Sequence, residues 1–129
     1  MIERKKYLDK LISKKENGLV KVITGIRRSG KSFLLFNIYK DYLLSIGVEE
    51  NCIIELALDD DENIRYRNPL ELGEYLRSQT TDKNKTYYIF LDEIQKCADA
   101  RTALKFLAED GRFDVICSGS LLGVNYKKI

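Results

Sequence analysis

Apolar positions along the chain recur in two different periods. Four short runs are rich in branched and aromatic residues: Leu19-Val20-Lys21-Val22-Ile23-Thr24, Cys52-Ile53-Ile54-Glu55-Leu56-Ala57-Leu58, Tyr87-Tyr88-Ile89-Phe90-Leu91 and Phe113-Asp114-Val115-Ile116-Cys117. They predict strands at about 19–24, 52–58, 87–92 and 113–118. Between them the spacing changes to three and four. Leu35, Ile38, Tyr39, Tyr42 and Leu43 predict a helix from about Lys31 to Ser45, stopped by Gly47. Ala103, Leu104, Leu107 and Ala108 predict another from about Ala100 to Glu109, closed by Gly111. Asn68-Pro69-Leu70-Glu71 has the chemistry of a helix start: Asn68 caps, Pro69 suits the first position, and Glu71 can reach back to the cap amide. Near the N-terminus Tyr7, Leu8, Leu11 and Ile12 share one face of a short amphipathic helix ended by Asn17-Gly18. Strands alternating with helices imply an α/β fold, a parallel sheet covered on both faces.

Composition narrows the chemistry. The 129 residues suit one domain, taken as 1–129, with 44% hydrophobic and 33% charged residues. Twenty-two Lys plus Arg against twenty Asp plus Glu leave +2, too near neutral to imply nucleic acid. The basic face of the first helix (Arg4, Lys5, Lys6, Lys10, Lys14, Lys15) reads first as a solvated face and second as a nucleic-acid contact. There is no histidine, which excludes Ser-His-Asp and Cys-His nucleophiles and His-ligated zinc. Cys52, Cys97 and Cys117 stand singly and read as reduced, buried thiols. The charged start has no apolar stretch typical of a signal peptide, and no run approaches the roughly 18 residues of a membrane helix. The expectation is a soluble, cytoplasmic protein with no membrane partner.

Gly25-Ile26-Arg27-Arg28-Ser29-Gly30-Lys31-Ser32 fits GxxxxGK[ST] at every defined position, with a strand before it and a helix after it. Glycines let such a loop curl so that successive N–H groups face phosphate oxygens, and the following helix adds its positive end. Lys31 would bridge the β- and γ-phosphates, and the Ser32 hydroxyl would sit on Mg²⁺. Gly25, Arg27, Arg28, Ser29, Gly30, Lys31, Ser32 and the adjoining Phe33 form the candidate nucleotide-binding set. Arg27 and Arg28 have open alternatives: phosphate, an adjacent subunit, a nearby acid or solvent.

The third strand closes on Asp92-Glu93. Ligands of a doubly wound sheet gather at the carboxyl ends of its strands, so Asp92 would share the crevice with Lys31. A carboxylate there can hold Mg²⁺ through its water shell, and Glu93 can orient and deprotonate an attacking water. The fourth strand ends Cys117-Ser118-Gly119-Ser120. If it lies between the loop strand and the Asp92 strand, Ser118 or Ser120 projects toward the γ-phosphate; the other reading is a hydroxyl turn ending the strand. Asp59-Asp60-Asp61-Glu62 lacks EF-hand spacing and reads as a solvated turn rather than a metal site.

Together the phosphate loop, Tyr88-Ile89-Phe90-Leu91-Asp92-Glu93-Ile94-Gln95 and Cys117-Ser118-Gly119-Ser120 resemble the prokaryotic AAA-like ATPases, which carry an Arg pair in the loop and a Leu-Asp-Glu-Ile-Gln strand end. Tyr7-Leu8-Asp9-Lys10-Leu11 is similar to the family's N-terminal helix. The resemblance implies a three-layer P-loop NTPase core with strand order 5-1-4-3-2. It also implies a Walker A pair at Lys31 and Ser32, a Walker B pair at Asp92 and Glu93, and a sensor 1 group at Ser118. The expected catalytic residues are therefore Glu93, Lys31 and Ser118, and the metal residues Ser32 and Asp92. Family members continue into a fifth strand, an arginine-bearing lid and a C-terminal domain, so this chain reads as the N-terminal part of that architecture, with the fifth strand missing.

The leading functional reading is ATP binding with Mg²⁺-dependent hydrolysis. Two alternatives stand beside it: a nucleotide-dependent switch with little turnover, and a small-molecule kinase. Glu93 beside Asp92 favours water over a substrate hydroxyl as nucleophile, and no Asn/Thr-Lys-x-Asp guanine-reading motif is present, which leans to ATP. Without a lid arginine the chain alone should turn over slowly, and an uncovered first strand should favour self-association.

Overall fold

The computed structural model describes residues 2–18, 20–23 and 31–119; the side chains of 2–4, 7 and 31–35 lie outside that description. Helix α1 spans Ile2–Ser13, strand β1 Lys21–Ile23, helix α2 Lys31–Ser45 and strand β2 Ile53–Ala57. Helix α3 spans Pro69–Gln79, strand β3 Tyr87–Asp92, helix α4 Ala100–Glu109 and strand β4 Phe113–Ser118. The strands form one parallel sheet in the order β1-β4-β3-β2. That is the 1-4-3-2 part of the expected order, and β4 does lie between β1 and β3.

Strand alternation divides the core into two layers. Val22, Leu56, Tyr87, Ile89, Leu91, Val115 and Cys117 face α3 and α4, where Leu72, Leu76, Ala103, Leu104 and Leu107 are buried against them. Ile23, Ile53, Tyr88, Phe90 and Ile116 face α1 and α2, meeting Leu11, Phe36, Tyr39 and Leu43. Phe36, which the helical spacing did not single out, stacks on Phe90 with ring centroids 5.3 Å apart. Burying a side chain of this size contributes about 1.5–3 kcal/mol. The three cysteines are free and buried, and burial pushes the Cys117 thiol up to about 12.

Two local expectations are corrected and a third gains detail. Helix α1 ends at Ser13, ahead of Asn17-Gly18, and Glu16 takes a left-handed φ of 56°. Long-range bonds reward that turn. The Glu16 N–H donates to Asp114 Oδ2 at 2.8 Å, and its carboxylate accepts from Tyr88 and Thr86, each at 3.2 Å. At α3, Asn68 caps as expected, accepting from the N–H groups of Leu70 and Glu71 at 2.9 and 3.3 Å. Glu71 does not return to the cap amide; its carboxylate accepts from Arg65 Nε at 2.8 Å. The acidic run is exposed, but it opens a 3₁₀ segment, Asp61–Arg67, whose cap is the Asp60 carboxylate on the Glu62 N–H. Among the described residues no cluster of three or more acids or thiols is arranged to hold a metal ion.

Candidate nucleotide site at the carboxyl edge of the sheet

In a parallel sheet all strands end on the same edge, and here β1, β3 and β4 end together. Ile23 is in register with Ser118, and Leu91 with Cys117. Beyond that register Asp92 and Ser118 are joined directly, the Ser118 hydroxyl donating to Asp92 Oδ1. Ser118 is 1% exposed, whereas Asp92 is only partly buried. The same hydroxyl oxygen accepts from the Glu93 N–H at 3.3 Å. One serine thus ties the last residue of β3 to the first residue after it.

Alternation puts Asp92 and Ser118 on the face of Phe90 and Ile116, the face that α2 covers. The direction of α2 follows from its contacts. Phe36 stacks on Phe90 near the end of β3, while Gly47 and Val48, just past the last turn of α2, line a pocket with Thr86 and Tyr88 at the start of β3. The helix runs against the strands, so its first residues, Lys31 and Ser32, stand at the carboxyl edge. Phe33 follows them on the same turn. The side chains of these three, and Gly25, Arg27, Arg28, Ser29, Gly30 and Ser120, lie outside the described residues.

The backbone turns sharply where β3 ends. Glu93 has φ 57° and ψ 54°, a left-handed conformation uncommon for a residue with a side chain. Its carboxylate accepts from Gln95 Nε2 at 2.6 Å. At the end of β4, Gly119 has φ 141° and its N–H donates to the Ile23 carbonyl at 3.2 Å. That bond holds the end of β4 against the point where β1 leads into the Gly25–Ser32 segment. On the far side, the Leu58 N–H donates to the Asp92 carbonyl at 3.0 Å and seats β2 against the same corner.

A model of the AAA domain family matches residues 17–129. The chain belongs to that family. An uncharacterized protein of Haemophilus influenzae is 31% identical over 120 residues, covering 93% of this chain and 30% of that protein. An uncharacterized protein of Methanocaldococcus jannaschii is 35% identical over 105 residues, covering 78% and 21% respectively. This AAA chain therefore spans less than a third of the length of these relatives. Among solved structures, one of Drosophila ORC bound to DNA superposes with a TM-score of 0.61 at 11% identity, covering 93% of this chain and 77% of that one. A second, of Drosophila ORC bound to AT-rich DNA and Cdc6, gives 0.59 at 13% identity, covering 93% and 47%. At such identities the likeness is one of fold: the AAA chain has a P-loop NTPase core.

Sequence reasoning quoted Gln95 and Gly119 within motifs but assigned neither a role. Their signal was position alone, two residues after Glu93 and one after Ser118. No helix among the described residues is long and apolar enough to cross a membrane.

Proposed function

We propose that the AAA chain binds ATP with Mg²⁺ and hydrolyses it at the carboxyl edge of the sheet. One observation carries this reading: Asp92, Glu93 and Ser118 are hydrogen-bonded together on the edge where α2 begins with Lys31 and Ser32. The donors there are all oxygen, which suits Mg²⁺ and not a thiolate-preferring metal; Cys117 faces the opposite layer. Asp92 and Ser32 would hold the ion, which when bound neutralises charge on the phosphates.

The chain's own groups would divide the work. The N–H groups of Gly25–Ser32 and the start of α2 bind phosphate oxygens, and Lys31 adds a point charge. Arg27 and Arg28 lie within that segment and would contribute further positive charge to phosphate or to a neighbouring subunit. Ser118 orients the Asp92 carboxylate by donating to it. Glu93 would orient an attacking water and accept its proton. Strand β1 is an edge of the described sheet, so a strand from the rest of a longer chain or from another copy would add there.

Calorimetric titration with ATP and GTP, followed by a phosphate-release assay, tests the reading. Lys31→Ala removes a charge-assisted contact of about 1.5–3 kcal/mol and should weaken ATP binding roughly 10- to 150-fold. Asp92→Asn should weaken the Mg²⁺-dependent part of binding. Glu93→Gln should leave binding intact and cut hydrolysis by about 10²–10⁴. An unchanged dissociation constant in folded Lys31→Ala refutes the binding site. Equal effects of the two acidic substitutions on affinity refute the division of roles, and binding with no phosphate release favours the switch.

A further inference from the structure

Glu93 is held by a neighbour that the reaction scheme leaves unused. Gln95 lies in the 3₁₀ turn Ile94–Lys96 directly after Glu93, and its carboxamide donates to Glu93 Oε2 at 2.6 Å, at the short end for a bond to a charged acceptor. The other end of the same carboxamide occupies space that only glycine leaves open. A Cβ built on Gly119 would lie 2.1 Å from Gln95 Oε1 and 3.1 Å from the Ile94 backbone nitrogen. Gly119 follows Ser118, the residue bonded to both Asp92 and the Glu93 N–H. Backbone and side chain of Glu93 are therefore each held by a partner of their own. Ser118 takes its N–H, and Gln95, seated against Gly119, takes one carboxylate oxygen.

We propose that Gln95 is a positioning residue for Glu93, its carboxamide holding the carboxylate in one orientation within a gap that Gly119 keeps open. The inference rests on the reading of Glu93 as the group that activates water. A carboxylate with one oxygen fixed presents the other in a defined direction, and misplacement of a catalytic group by about 1 Å can cost about 10²-fold in rate. Gln95 is itself exposed, so its loss removes a restraint and leaves the core packing as it was.

The test uses the full chain in five forms: unaltered, Gln95→Ala, Gln95→Glu, Glu93→Gln and Glu93→Ala. Gln95→Glu preserves shape but replaces the donor by an acceptor. Both Gln95 variants should lower kcat for ATP by about 10- to 100-fold. The ATP dissociation constant and the thermal midpoint should stay unchanged. A second readout needs neither nucleotide nor turnover. In ¹⁵N-labelled protein the Gln95 carboxamide protons should shift downfield relative to a Glu93→Ala chain, in which they have lost their acceptor. Carboxamide resonances identical in the two chains overturn the proposal. So do Gln95 variants with full kcat beside a silenced Glu93→Gln, which leaves the role of Glu93 standing. Full activity in Glu93→Gln removes the reading beneath both. Loss of ATP affinity or thermal stability in Gln95→Ala equal to its loss of rate shows a structural role instead and overturns positioning.

Discussion

Lys21→Met is expected to be among the most damaging single changes in the sheet, although it touches no residue of the candidate site. Lys21 Nζ lies 2.5 Å from Asp114 Oδ1, and the two side chains are 3% and 2% exposed. The second carboxylate oxygen of Asp114 accepts from the Glu16 N–H. Methionine keeps the length and apolar stem of lysine, so the change removes little but the ammonium. It leaves the buried Asp114 carboxylate without its cation and, among the described residues, with the Glu16 N–H as its donor. Breaking a buried pair in this way costs about 3–5 kcal/mol, against a total stability of about 5–15 kcal/mol. With a urea m-value of about 2 kcal/mol/M the unfolding midpoint should fall by about 1.5–2.5 M. Far-UV circular dichroism and tyrosine fluorescence can follow this, as the chain has eight tyrosines and no tryptophan. The pair Lys21→Met with Asp114→Leu removes both charges and, among the described residues, strands the Glu16 N–H, at about 1–3 kcal/mol. It should recover a large part of the loss. A single variant within 1 kcal/mol of the parent, or a double variant as unstable as the two single losses added, would refute the reasoning.

Two further outcomes concern stability. Burial raises the Cys117 thiol from 9.0 to about 12, so the folded state keeps a proton that the unfolded chain releases. Stability from this group is complete below about pH 9 and declines as pH rises from there toward 12. Comparing urea midpoints of the parent and Cys117→Ala across pH 8–11 should show a shallower decline in the variant, and parallel curves would contradict it. Asn68→Ala removes the acceptor for two N–H groups at the start of α3 and should cost about 1 kcal/mol, with Asn68→Asp retaining most of it. An alanine variant unfolding with the parent's midpoint would show that the cap adds nothing.

The sequence was most readable where a single local rule decided the outcome. Helices α2 and α4 and strands β3 and β4 lie where the periodicity puts them, because each helix has an apolar stripe for one layer and each strand an apolar run that both layers bury. The topology was readable only through the resemblance, since strand order depends on contacts between distant segments. Local rules failed where groups outside the local pattern compete for a residue. Glu16 leaves the helical conformation because Asp114, Tyr88 and Thr86 offer its polar groups partners far along the chain. Glu71 fits a capping pattern but is taken by Arg65. Lys21 looks like an ordinary solvent-facing position in a strand, and its partner is 93 residues away. At the site, Asp92, Glu93 and Ser118 were named from motifs, yet the hydrogen bonds joining them needed the register of β3 against β4.

Strand β4 shows why these features are coupled. Asp114 and Ser118 lie four positions apart on the same face, about 13 Å at 3.3 Å per residue. Each ties this central strand to its neighbours. Asp114 fastens β1 and the segment after α1 near the amino end, and Ser118 fastens the end of β3 at the other. Two residues beside the latter end, Glu93 and Gly119, have positive φ, and for Glu93 that conformation costs about 1–3 kcal/mol. Such a turn persists only where the surroundings over-determine it. Bonds from β4 and β2, the Gln95 carboxamide and the Gly119 contact with β1 do so here. The buried pair at the amino end joins the same two strands, β1 and β4, whose register sets Gly119 beside Ile23. A Lys21→Met chain that remains folded should therefore bind ATP more weakly than its fraction folded accounts for.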